Sequence, residues 1–185
     1  ISLSVKRVSN WGHRARVFIG STPTTRDGFV TQEYELCSEK RTYRVPCPHC
    51  GAHQELEWSR VRWPKQEGVE PAKQAEKIDF GDLAYYRCVA CDEKIHEHHK
   101  PEMLRLGKWA NQDQVVNDAG EIVGPRRRSR RIGFHMSGLY SPWIRWSEIV
   151  AEFVLAKGNR AKTMDFRNSR LATEFEDEIK TPTLG

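Results

Sequence analysis

The 185-residue chain has no apolar run long enough to span a bilayer and no cleavable apolar leader at its start. These absences exclude a helical membrane anchor and a secretory signal within this sequence, and they place its thiols in a reducing compartment. There is no G-x-x-x-x-G-K-[ST] phosphate loop and no apolar strand ending in Asp-Glu, so nothing here is built to cradle a nucleoside triphosphate with Mg²⁺. Apolar residues are only 38% of the chain, modest for one large core. An acidic excess is also lacking: the net charge is +5 and the pI is near 9.0, which makes polyanions reasonable partners. The chain opens Ile1-Ser2-Leu3 without a methionine and closes Thr181-Pro182-Thr183-Leu184-Gly185. It reads as excised from something longer, with residues 181–185 as linker.

Cysteine is scarce too, but it is concentrated. Four of the five cysteines fall in two pairs, Cys47-Pro48-His49-Cys50-Gly51 and Cys88-Val89-Ala90-Cys91. Each short turn brings two sulfurs together, and two such turns facing each other make a tetrahedral Zn²⁺ site. A redox dithiol or two disulfides are the competing readings, but redox motifs come as one pair and not as two matched ones. Gly51 suits the positive φ that follows a knuckle, and Asp92 tolerates it better than most residues. Cys47, Cys50, Cys88 and Cys91 are therefore the expected ligands of a structural Zn²⁺. His49, His96, His98 and His99 read as solvated or hydrogen-bonded imidazoles, since four sulfurs already close such a site. Cys37 reads as an ordinary helix residue.

Arg16-Val17-Phe18-Ile19 has the pattern of a buried strand in a parallel sheet, ending in the hydroxyl-rich loop Gly20-Ser21-Thr22-Pro23-Thr24. That loop is either a ligand site at a strand end or a plain turn with hydroxyl caps. Gly28 to Cys37 predicts a short helix, and Thr42 to Val45 a strand entering the first knuckle. Gln54 to Trp63 predicts a ribbon hairpin with Leu56, Trp58, Val61 and Trp63 on one face, and Pro64 to Asp82 a charged, solvated insertion. Ala84 to Arg87 and Lys94 to His96 predict strands flanking the second knuckle. Pro101 to Leu106 predicts a helix closed by a left-handed Gly107, and Asn117-Asp118-Ala119-Gly120 a hairpin turn between Val115-Val116 and Ile122-Val123.

The run Pro125-Arg126-Arg127-Arg128-Ser129-Arg130-Arg131 reads equally as a phosphate-binding segment and as a solvated loop extended by its own repulsion. Ile132 to Tyr140 predicts a strand. Ser147 is the expected N-cap of a helix ended by Gly158, and Asn159 the cap of the next, whose apolar stripe is Ala161, Met164, Leu171 and Phe175. Asn168 interrupts that stripe, and as a buried amide it is expected to have a partner.

Taken in order, these features resemble the large terminase subunit of tailed bacteriophages, the lambda GpA-like family. The resemblance rests on the strand into Gly20-Ser21-Thr22-Pro23-Thr24, on Tyr43-Arg44-Val45-Pro46-Cys47-Pro48-His49-Cys50-Gly51, and on Leu56-Glu57-Trp58. It continues through Tyr86-Arg87-Cys88, Cys91, Lys100, Met103-Leu104, Gly107, Trp109, Gly133-Phe134-His135, Gly138 to Pro142, and Asn168 with Leu171. It implies a DNA-packaging motor with an N-terminal ATPase and a C-terminal nuclease that cuts concatemers. Ser21, Thr22, Pro23 and Thr24 would be the motif that couples nucleotide state to DNA movement. The parent would use ATP and Mg²⁺, act on double-stranded DNA in the cytoplasm of a bacterial host, outside the virion, and dock a portal protein and a small terminase subunit.

The expected fold is α+β: the edge of a parallel α/β ATPase sheet, an inserted antiparallel zinc ribbon, and C-terminal helices. Residues 1–42 would end the ATPase domain, 43–100 form the ribbon, and 101–180 make a hairpin, strand and helical connector. Arg126, Arg127, Arg128, Arg130 and Arg131 are the candidate DNA contacts. The acidic cluster expected of the nuclease is missing, and Ala172 and Phe175 stand where the family more often shows Gly and Trp. The segment by itself is therefore expected neither to hydrolyse ATP nor to cut DNA. A free-standing zinc-ribbon nucleic-acid-binding protein, with the arginines and ribbon tryptophans in contact, and a pure interaction module are the alternatives.

Overall fold

A computed structural model describes residues 7–175; the expected linker at 181–185 lies outside them. In chain order the elements are α1 (Phe29–Glu35), β1 (Glu39–Pro46), β2 (His53–Gln54), β3 (Val61–Arg62), α2 (Pro71–Phe80), β4 (Tyr85–Arg87), β5 (Lys94–Ile95) and α3 (Lys100–Leu106). They are followed by β6 (Lys108–Asn111), β7 (Val115–Val116), β8 (Ile122–Val123), β9 (Ile132–His135), α4 (Trp146–Ala156) and α5 (Arg160–Phe166). Strand β1 is the hub. It pairs antiparallel with β6, from Arg41 opposite Asn111 to Arg44 opposite Lys108, and parallel with β9, from Glu39 opposite Ile132 to Thr42 opposite His135. At its far end it pairs antiparallel with β2. Strands β3, β4 and β5 form a second, antiparallel sheet, and β7 and β8 a hairpin whose turn is relieved by Gly120 at φ 75°. The chain is thus α+β. Among the described residues no helix is long and apolar enough to cross a membrane.

The core lies between the sheets and α4. Trp146, Tyr86, Ile78, Ile95, Leu139, Ile149, Val45 and Val61 are essentially inaccessible to water. At roughly 1.5–3 kcal/mol for each large apolar side chain, this burial is the main source of cohesion. Hydroxyls then fix the geometry. Tyr140 Oη accepts from the Leu56 N–H and donates to the Tyr43 carbonyl, each at 2.7 Å, locking the chain that enters the first knuckle to the chain that leaves it.

Several local expectations need correction. Arg16 to Ile19 is not a buried strand: Phe18 is 94% exposed, and no ladder partner exists for the stretch among the described residues. A strand's backbone groups need neighbours, and the one parallel pairing described joins β1 to β9 instead. Gln54 to Trp63 is not a hairpin, because β2 pairs with β1 and β3 with β4. A tight 3₁₀ turn at Trp58–Arg60 separates them and turns Trp58 onto Phe153 and Phe166, both at 5.2 Å between centroids.

The segment Pro64 to Asp82 is only partly a solvated loop. Its second half is α2, which buries Ala75 and Ile78 against α4, and Arg145 bonds Asp79 at 2.6 Å across that contact. Ser147 is not a cap: it lies inside α4, fully buried, and its Oγ accepts from the Ala84 N–H at 2.9 Å. Gly107 ends α3 at φ −60°, outside the left-handed region. Glycine is needed there because a Cβ would lie 2.5 Å from the Tyr43 ring. Asn159 does cap α5, accepting from the Lys162 N–H. Beyond α5 the chain makes a π-turn at Arg167–Leu171, and the Asn168 Oδ1 within it is buried without a hydrogen-bond partner, contrary to expectation.

Candidate metal centre

The two knuckles are built alike. In the first, the Gly51 N–H bonds the Cys47 carbonyl at 2.9 Å, and the Cys47 N–H bonds the Ala52 carbonyl at 2.9 Å. In the second, the Asp92 N–H bonds the Cys88 carbonyl at 3.2 Å, and the Cys88 N–H bonds the Glu93 carbonyl at 3.1 Å. Closing the chain this tightly requires a left-handed residue after the second cysteine of each pair. Gly51 supplies it at φ 76° and Asp92 at φ 56°. The strained Asp92 is held by Arg87, which bonds both its carbonyl (2.6 Å) and its carboxylate (3.0 Å). Inside each turn a backbone N–H points back at sulfur: His49 at Cys47 Sγ (3.5 Å) and Ala90 at Cys88 Sγ (3.4 Å).

Facing each other, the turns bring the sulfurs of Cys47, Cys50, Cys88 and Cys91 within 4.8 Å of one another, an arrangement that can hold a metal ion. The contacts cross between knuckles, Cys47 to Cys91 at 3.9 Å and Cys50 to Cys88 at 3.8 Å. These separations are nearly twice a disulfide bond. They match the spacing of about 3.8 Å that four sulfurs take up at the corners of a tetrahedron about 2.3 Å from its centre. Burial pushes the Cys47 thiol up to about 12. At Cys88 burial is outweighed by the N–H groups of Cys91 and Ala90 and by the neighbouring thiols, which bring it down to about 7. Four thiolates so close need a compensating charge, and a bound cation provides one.

Three side chains that sequence reasoning did not single out brace this knot. Gln54 Oε1 accepts from the Val89 N–H at 2.7 Å, and Arg60 bonds the Val89 carbonyl at 3.2 Å, so β2 and the 3₁₀ turn both grip the second knuckle. Arg87 grips it through Asp92. The first knuckle reaches across through His49 Nε2, 2.9 Å from the Lys94 carbonyl, which is the hydrogen-bonded histidine the sequence suggests. A CxxC spacing signals the ligands; a lone Gln or Arg in a short strand carries no such signal.

The other candidate residues lie elsewhere. Ser21, Thr22 and Thr24 are exposed and Pro23 is half-buried, in the loop before α1. Of the arginines, Arg127 pairs with Asp113, and Arg131 approaches Glu33 at 3.6 Å. Arg126, Arg128 and Arg130 are exposed and unpartnered among the described residues. The tryptophans expected to accompany them as nucleic-acid contacts are instead packed inward.

Residues 1–109, which include all four cysteines and end within β6, match the phage terminase large subunit gpA, ATPase domain. The chain belongs to the phage terminase large-subunit gpA family. Residues 131–184 match the endonuclease domain of the same gpA subunit, beginning just before β9. Among curated relatives, the large terminase subunit of Escherichia phage lambda is 26% identical over 180 residues, covering 86% of this chain and 25% of the relative. That of Enterobacteria phage P21 is 26% identical over 164 residues, with the same coverage. The chain thus spans about a quarter of the length of these relatives. No solved structure matches it.

The terminase matches and the fold divide the chain differently. Strand β1 lies in the ATPase match and β9 in the endonuclease match, yet they pair in one sheet. Tyr86 and Trp146, also from the two ranges, share the core at 5.9 Å between centroids. Between the matches lie the β7–β8 hairpin and Arg126 to Arg130.

Proposed function

We propose that this chain is a segment of the large subunit of a phage or prophage terminase whose full-length protein packages viral DNA with ATP and Mg²⁺ and cuts concatemers. The observation that carries this reading is the ordered pair of matches, ATPase then endonuclease, the first of which contains the four-sulfur knot. In this reading residues 1–42 end the ATPase domain, 43–100 form the ribbon, and 101–180 lead to the nuclease. Ser21, Thr22, Pro23 and Thr24 form the coupling motif. Their hydroxyls are exposed, with Ser21 Oγ donating to the Thr22 carbonyl at 3.0 Å and keeping its lone pairs to accept from a water or a moving loop.

Cys47, Cys50, Cys88 and Cys91 hold Zn²⁺, which when bound supplies structural cross-linking and no chemistry on substrate, because four sulfurs leave it no open position. The ribbon then acts as a brace in the sheet that joins residues of both matched ranges. Arg126, Arg128 and Arg130, unpaired, meet the phosphates of double-stranded DNA, with Arg127 and Arg131 at either side. The full-length protein works in the host cytoplasm, outside the virion, with the portal protein and small terminase subunit as partners.

The test compares the chain with the longer protein that contains it. The chain alone is expected to show no Mg²⁺-dependent ATP turnover and no cleavage of duplex DNA, whereas the longer protein is expected to show both. Turnover by the chain alone, or a longer protein that does neither, contradicts the reading.

A further inference from the structure

Strands β6, β1 and β9 present two faces, and they are covered unequally. The pairing sets Arg41 level with Asn111 and Phe134, and Tyr43 level with Trp109, so Arg41, Tyr43, Trp109 and Phe134 project from one side of the sheet. Gly133 and His135 project from the other. There Tyr34 of α1 packs so close beneath Gly133 that a Cβ would lie 2.7 Å from its ring, and His135 helps to line a cleft of about 470 Å³ with the Ser21 loop, α1 and the turn after α5. On the Arg41 side, Phe134 is 54% exposed and Ile132 is 40% exposed, on a strand whose outer edge has no partner among the described residues.

The exposed ring is held in place. Trp109 meets Phe134 edge-on at 5.0 Å, Tyr43 backs Trp109 at 5.1 Å, and the Arg41 guanidinium lies 5.7 Å from the Phe134 centroid. A ring fixed by its neighbours loses little freedom when a flat partner stacks on it.

The charges around the ring define that partner. Carboxylates at this end of the sheet are taken by arginines: Glu39, buried, by Arg41 at 2.6 Å, Asp113 by Arg127, and Glu33 by Arg131 at 3.6 Å. Arg126, Arg128 and Arg130 are left over, exposed, on the segment that leads directly into β9. Arg127 and Ser129 tie that segment to Ser38, the residue before β1, through its carbonyl at 3.4 Å and its hydroxyl at 2.6 Å. The cations are thereby held at one end of the sheet that carries the ring. An aromatic surface bordered by uncompensated positive charge complements a polyanion that carries flat groups. A duplex keeps its bases stacked on one another, whereas a single strand offers the flat side of a base to a ring on an open sheet.

We propose that this open face binds single-stranded DNA, with an unpaired base stacked on Phe134 and the strand's phosphates on Arg126, Arg128 and Arg130. The proposal deepens the reading of the chain as a DNA-handling terminase segment and rests on it, adding the form of DNA that this face takes.

The test uses the zinc-loaded chain and a fluorescently labelled oligothymidylate of about 12 nucleotides, within the site sizes of single-strand binders, with binding read by anisotropy. The single strand should bind more tightly than a duplex of the same length, and 5-iodouracil placed in it should crosslink on irradiation to the peptide that carries Phe134. Phe134→Ala and Phe134→Leu should each weaken single-strand binding roughly 5- to 150-fold, the range of one lost stack, while Phe134→Tyr, which keeps the ring, should stay near the parent value. None of the three should alter duplex binding, and at a side chain this exposed all should keep the thermal transition. Replacing Arg126, Arg128 and Arg130 with Gln should flatten the slope of log affinity against log salt by about 2 for the single strand.

A chain that binds no single strand, or whose single-strand affinity is unmoved by Phe134→Ala and Phe134→Leu, overturns the proposal. So does a chain that instead self-associates through this face, its dimer lost in Phe134→Ala. If the arginine variant weakens duplex binding while the Phe134 variants change nothing, the stacking site falls and the DNA-handling reading stands.

Discussion

The two knuckles and the stretch Arg16–Ile19 are both short and strongly patterned, yet one is fully organised and the other lies open. Each knuckle closes its own hydrogen bonds within six residues, and the two need only each other to bring four sulfurs together. The apolar stretch has as clear a pattern, but no strand pairs with it among the described residues, and Phe18 is left in water. A tight turn can satisfy its own backbone groups; an extended stretch needs a neighbouring strand to do so. The two knuckles are consequently organised by contacts that lie within the described residues.

The largest expected effect falls on the knot. Cys47→Ser with Cys88→Ser should abolish metal binding and remove on the order of 10 kcal/mol of folding free energy, seen as loss of a cooperative thermal transition. A double variant that melts as the parent does would erase the contrast between the regions. Next is the strand that delivers the first knuckle: Gly107→Ala drives a methyl into the Tyr43 ring and should cost about 1–3 kcal/mol in denaturant unfolding.

In the opposite direction, Ala172 is left-handed at φ 51°, a conformation that Gly adopts without a steric penalty. Ala172→Gly should therefore stabilise by about 1 kcal/mol. His135 offers a pH test. The Glu55 carboxylate raises its pKa against burial, helped by the Ala172 carbonyl at 3.0 Å. Its contribution to stability is complete below the ordinary value of 6.5 and is lost as pH rises through the raised one. His135→Gln should flatten stability across that window. The smallest effect is at Phe18, where Phe18→Ser should move the stability of this chain by less than about 0.5 kcal/mol. A large loss there would show that the stretch is packed after all.

What was legible in the sequence follows the same division. The turn within each cysteine pair, the positive φ at Gly51 and Asp92, the Asn159 cap and the Gly120 hairpin are each set by residues within a few positions of one another. The misread features depend on distant partners. Helix α2 carries only Ala75 and Ile78 as its inward stripe, too little to stand out in a charged run until α4 lies against it. Ser147 has the residue type of a cap, but its hydroxyl is taken by Ala84 N–H, far away in the chain. Trp58 and Trp63 looked available for stacking because nothing nearby in sequence covers them; Phe153 does so from α4. The cleft between the Ser21 loop, α1, β9 and the turn after α5 was invisible for the same reason, since its walls come from stretches about a hundred residues apart.

A metal ion bound by four sulfurs is expected to organise this segment. Elemental analysis of the chain purified under reducing conditions, followed by melting with and without a chelator, tests it directly. The prediction is about one zinc per chain, retained until chelation and lost together with the cooperative transition. A chain that folds without metal, melts unchanged in chelator, or has its four cysteines joined as two disulfides would contradict the account.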